Sequence, residues 1–99
     1  MANKKYIERL QAVIRKLHGA DSEHVESVPI NETFQGYLVW RGAVEVFKLR
    51  GHPKAQRAYA WSYQDGNTER FTAVLEVPPV KDALTAVRVS IVAESKKHK

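Results

Sequence analysis

Arg57, Tyr59, Trp61 and Tyr63 occupy every second position of one short segment. On a strand that spacing sends all four side chains to one side, and rings beside a guanidinium are the means by which unpaired nucleic-acid bases are stacked. Which face they take depends on the following Asp65-Gly66-Asn67, a hairpin signal. A two-residue turn pairing Gln64 with Asn67 sets the stripe opposite Thr68, Arg70 and Thr72, on the polar side of the next strand. A three-residue loop sets Trp61 opposite Phe71 and makes the rings core, the commoner role for tryptophan in a small domain.

Upstream of the stripe, Arg50, His52, Lys54 and Arg57 gather three cations and an imidazole around Gly51 and Pro53. Glycine lets backbone donors approach a ligand, and arginine grips an oxyanion with two N–H groups, so anion binding is the chemistry such a loop would serve. A plain solvated turn needs the same Gly and Pro, and neither a Walker nor a dinucleotide glycine pattern accompanies them.

The histidines are His18, His24, His52 and His98. His24 and Glu26 would share one side of a strand and offer two metal ligands, but no third follows at a recognisable spacing, and neither a metal nor another cofactor is expected. His18 falls in the last turn of a helix, where an imidazolium meets the negative end of the dipole. No cysteine, Gly-x-Ser-x-Gly elbow or His-Glu-x-x-His helix supplies an activated centre. An enzyme acting on a small anionic substrate would have to use His52 or Tyr59, and a non-enzymatic role is the expectation.

The elements that must position these groups are legible from periodicity. Tyr6, Ile7, Leu10, Val13, Ile14 and Leu17 recur at helical steps, with Asn3 as amino-terminal cap and Gly19 as a left-handed stop. Val25, Val28 and Ile30 suggest a strand over Glu23 to Phe34 that Pro29 confines to a sheet edge or bulge. Tyr37 to Leu49 is a second strand, with Leu38, Trp40, Val44 and Val46 on one parity, Phe47 and Leu49 on the other, and Gly42 as a bulge or close-approach point. Ala55 to Gln64 is a third, and Phe71, Ala73, Leu75 and Val77 mark a fourth. After Pro78-Pro79, the residues Val80, Ala83, Leu84, Val87 and Ile91 predict a closing helix, against a rival strand in which Val87, Val89 and Ile91 alternate with Arg88 and Ser90.

The expected fold is therefore α+β: helix, antiparallel meander of three to four strands, helix, with both helices on one face of the sheet. Residues 1–95 make one domain, and the basic tail 96–99 is expected to fray. With 43% hydrophobic and 27% charged residues, the 99-residue chain has an ordinary globular balance and no apolar run of transmembrane length. Absence of cysteine, and an amino terminus whose apolar positions are broken by Glu8 and Arg9, point to a cytoplasmic protein.

The net charge of +5 is unevenly placed. Residues 1–20 carry five cations and one anion, residues 21–33 four anions and no cation, and residues 34–64 five cations and one anion. That segregation favours an anionic partner such as nucleic acid. Pro29 at an edge, and the apolar positions Phe47, Leu49, Val89 and Val92, raise the alternative of protein–protein contact or a homo-oligomer.

Val39-Trp40-Arg41-Gly42-Ala43-Val44-Glu45-Val46-Phe47, Gly51-His52-Pro53-Lys54-Ala55 and Arg57-Ala58-Tyr59-Ala60-Trp61 together resemble a family of small bacterial proteins of uncharacterised function. The likeness runs through Ala73-Val74-Leu75 and Pro78-Pro79-Val80 to Ala86-Val87. It implies a bacterial source and a free-standing cytoplasmic protein, and brings no activity or cofactor with it. The element order also resembles the double-stranded-RNA-binding domain, which reads a duplex by shape. That family places Gly-Pro-x-His in a strand loop and a lysine cluster at its second helix; here the loop reads Gly51-His52-Pro53-Lys54, and Lys81-Asp82 opens the helix.

Overall fold

The computed structural model describes residues 3–97. Helix α1 (Lys4–His18) has both terminal devices that the sequence predicts. The Asn3 side chain accepts the Tyr6 N–H at 2.8 Å, and Gly19, at φ 69°, donates its own N–H to the Arg15 carbonyl at 2.8 Å. Leu10 and Ile14 are fully buried, but Leu17 is 56% exposed. The last turn of α1 meets the sheet through His18 instead, whose Nε2 donates to the Ala73 carbonyl at 2.9 Å.

Strands β1 (Asp21–Phe34), β2 (Tyr37–Arg50), β3 (Arg57–Asp65) and β4 (Thr68–Leu75) form an antiparallel sheet in sequence order. Pro29 lies in the edge strand β1, where a residue without an N–H donor is tolerated. Two irregularities interrupt the β1–β2 register, one leaving Val25 unpaired between His24 and Glu26, the other leaving Val39 unpaired beside Glu32 and Thr33. Gly42 is not itself a bulge; a Cβ there would come within 3.0 Å of the Trp40 ring, so the glycine makes room for that indole.

The side chains sort into two apolar layers. Leu10 and Ile14 of α1 pack with Phe47, Leu49, Ala58, Ala60 and Ala73. Helix α2 (Ala83–Lys97) sends Ala83, Ala86 and Val87 into a separate layer with Ile30, Val44, Val46, Tyr59 and Trp61. Because Ala58 and Ala60 alternate with Tyr59 and Trp61, and successive side chains of a strand point to opposite faces, the two layers lie on opposite sides of the sheet. The expectation of both helices on one face is thereby corrected. Small alanines of β3 face α1, and two large aromatic rings of the same strand face α2.

Strands β2 and β3 pair only from Glu45 to Lys48, after which the β1–β2 and β3–β4 hairpins diverge. Ser62 lies beyond the last pair, and its N–H is taken up by the Tyr6 hydroxyl at 3.0 Å. On the other face Trp40 and Trp61 bridge the split edge to face, with ring centroids 5.7 Å apart.

Helix α2 is held at its first turn and along its length. Asp82 Oδ1 accepts the Thr85 N–H at 2.8 Å, while Thr85 Oγ1 accepts from the Lys81 and Asp82 backbones at 2.9 and 3.0 Å, a reciprocal cap. Further on, Arg88 donates to the Glu32 carboxylate of β1. The helix is described through Lys97, within the basic tail 96–99, and His98 and Lys99 lie outside the described residues.

Both anchoring carboxyls titrate below their ordinary values: Glu32 through its hydrogen bond to Arg88, Asp82 through the Thr85 N–H and hydroxyl. A depressed carboxyl stabilises the fold above its unfolded pKa, about 4 for these groups, and that contribution is lost as pH falls through the lower folded value. Acidification from neutrality to about pH 3 is therefore expected to loosen α2 and shift tryptophan emission to longer wavelength. The double variant Glu32→Gln, Asp82→Asn should show a weaker acid response than the parent; an unchanged one would count against these anchors.

Candidate functional site

The β1–β2 register places the acidic segment against the basic one. Asp21 is paired with Arg50, and Glu23 with Lys48; a salt bridge of 3.2 Å links Arg50 to Glu23. Much of the charge segregation seen along the chain is thus cancelled within one hairpin. Nor does His52 face a ligand through its Nδ1, which accepts the backbone N–H groups of Lys54 and Ala55, each at 3.0 Å, and so builds the turn. Lys54 is exposed. Of the four residues predicted to form one anion site, Arg57 lines a concavity, and Arg50, His52 and Lys54 do not line it.

That concavity is a cleft of about 280 Å³ between the sheet and the start of α2. Val28, Ile30 and Val46 provide an apolar floor, and Ala83 and Leu84 the helix wall. Arg57, Lys81 and Glu26 supply charge at its margin. Tyr59 also lines it, and its hydroxyl donates to the Glu76 carboxylate. Burial and the neighbouring Glu76 push the Tyr59 phenol far above its usual value, so the group is a fixed donor and no base. Lys48 stands directly opposite Arg57 in the ladder, with Glu23 on its other side, so the row of like charges is offset in part by a carboxylate of the sheet itself.

Tyr59 and Trp61 are each only 3% exposed, whereas Tyr63 is 40% exposed. The turn is the two-residue Gly66-Asn67 closed by the pair Asp65 and Thr68, so Trp61 stands opposite Thr72 and Tyr63 opposite Arg70. This is the parity that sequence reasoning links with a polar face. The rings are nevertheless core, because α2 covers that face. Tyr59 and Trp61 therefore present no platform for a base, and Tyr63 alone of the three has a ring open to solvent.

Compared with protein-family models, curated proteins and solved structures, the chain matches none.

The geometry itself reveals a second constellation, beneath α1. Glu45 is only 1% exposed. Its Oε1 accepts from His24 Nε2 at 2.8 Å and from the Ser27 hydroxyl. Residues 24 and 27 would point to opposite faces of a regular strand; the unpaired Val25 shifts the parity and brings both onto the same carboxylate. The same shift sends Glu26 to the α2 face, opposite Val46, so the predicted sharing of a side by His24 and Glu26 does not occur. Among the described residues no group of three His, Asp or Glu is placed to hold a metal. The sequence carried one signal for this cluster: Glu45 is a lone acid inside the apolar run Ala43 to Phe47.

With its donors satisfied, Glu45 ties β1 to β2 where the bulge would otherwise weaken the pairing. Replacing it by alanine leaves the His24 and Ser27 donors without their acceptor, and urea unfolding should register a loss of about 2 kcal/mol. Glu45→Gln, which keeps an acceptor oxygen, should lose less. Equal stability of Glu45→Ala and the parent would contradict the role assigned to the carboxylate.

Proposed function

We propose that the chain is a small non-enzymatic binding module whose partner carries an anionic group, received at the cleft beside Arg57 and Lys81. One observation carries this reading. Arg57 and Lys81 flank a concave site with an apolar floor, and neither enters a salt bridge among the described residues. Clefts of this kind, apolar with a few converging polar groups, are the usual seats of small ligands. Nucleic acid is one source of such a group, with phosphates that a guanidinium grips in two-pronged fashion.

The reading is tested by titrating the protein at low salt with inorganic phosphate and with short RNA and DNA, followed by amide chemical shifts. Phosphate should move the signals of Val46, Arg57 and Ala83, and Arg57→Ala with Lys81→Ala should weaken binding at least tenfold. Oligonucleotide binding should fall steeply as salt rises. Unmoved signals with all three probes would end the anionic reading.

Self-association has its own supporting observation. Tyr37, Leu38 and Val39 are exposed at the tip of the β1–β2 hairpin, Tyr37 to 79%, and Val89 and Val92 are exposed on α2. Phe47 and Leu49, predicted as further contact residues, are instead buried in the α1 layer. Sedimentation at high concentration is expected to show a dimer if these side chains meet a second copy; a monomer would oppose it, and Leu38→Lys should abolish any dimer.

A further inference from the structure

The charges around the cleft are not equivalent. Asp82 is taken up by the α2 cap, and Glu76 by the Tyr59 hydroxyl. Glu26, Arg57 and Lys81 remain, none in a salt bridge among the described residues, and of these Glu26 and Arg57, opposite in sign, both stand on the sheet. The sheet keeps them apart. Glu26 sits on β1 opposite Val46, and Val46 is followed by Tyr59 on β3, one same-face step from Arg57. Two strand spacings, about 10 Å, together with that step of about 7 Å along β3, put the two positions about 12 Å apart, with the apolar Val46 between them.

A bare anion seated at Arg57 would leave Glu26 facing the same cleft unneutralised, and would feel its repulsion. A ligand carrying both charges satisfies both walls at once, with its carbon chain lying over Val46 and Val28 and beneath Leu84. We infer that the cleft selects a compact zwitterion: a small molecule with an ammonium group directed to Glu26, a carboxylate or phosphate directed to Arg57 and Lys81, and a short aliphatic spacer. This rests on the anionic reading above and narrows it to a ligand class. The volume of about 280 Å³ suits a metabolite of few heavy atoms better than a polymer segment.

The test compares three probes by calorimetry on the full chain: 4-aminobutyrate, butyrate and butylamine. The zwitterion should bind at least tenfold more tightly than either singly charged analogue. Glu26→Gln, an exposed position whose change should leave the fold intact, should bring 4-aminobutyrate down to the level of butyrate without weakening butyrate itself. Arg57→Gln should weaken both. Equal binding of 4-aminobutyrate and butyrate to the parent would overturn the zwitterion while leaving the anion site standing, as would binding of phosphate with no binding of 4-aminobutyrate. Failure of every anion, phosphate included, would overturn both.

Discussion

Strand β3 is buried on its two sides, and the rest of the molecule is arranged around that burial. Ala58, Tyr59, Ala60 and Trp61 are all nearly inaccessible, the alanines under α1 and the aromatics under α2. Each face of the strand is filled to close packing by a different helix, small side chains meeting α1 and large ones meeting α2. Each helix has its own fastening: α1 through His18 and Tyr6 to the β3–β4 hairpin, α2 through Arg88 to β1. The cleft follows from the same geometry, since the start of α2 stands off the sheet over Val46 while Tyr59 closes the gap from below.

The two faces divide the polar work between them. Glu45, His24 and Ser27 are turned toward α1 and are satisfied by one another, whereas Glu26 and Arg57 are turned toward the start of α2 and face the cleft. One unpaired residue, Val25, makes this division possible by reversing the parity of β1 midway. If β1 instead continued its pairing regularly from His24 through Val25, Glu26 would stand opposite Glu45 on the α1 side and would be lost from the cleft. A bulge thus sets the electrostatic character of a site two strands away from Arg57.

The legible part of the fold was the part governed by local pattern. The helical stripe from Tyr6 to Ile14, with Asn3 and Gly19 at its ends, is present as read, and so are the four strands and the closing helix. The face of the rings was left open by the turn alone: polar Thr68, Arg70 and Thr72 suggest a wet side for the sheet, yet α2 covers Tyr59 and Trp61 on that side and gives them the core role common for tryptophan. The signal was in β3 itself: Ala58-Tyr59-Ala60-Trp61 contains no charged residue, the mark of a strand covered on both faces. The candidate site was only partly legible. Arg57 was found by its company of cations, but Arg50 and His52 are engaged by Glu23 and by their own turn, and Glu26 and Lys81 join Arg57 only through the register and the α2 start. The bulge at Val25 has no evident mark in the residues around it.

Amide hydrogen exchange across β3 tests the doubly covered sheet most directly. If helices cover both faces, the amides within Ala58–Trp61 that are paired in the ladders should be among the slowest to exchange in the chain, opening only with global unfolding. Exchange there as fast as at the Gln35-Gly36 hairpin tip would mean that one face lies open, and the two-layer account would be wrong.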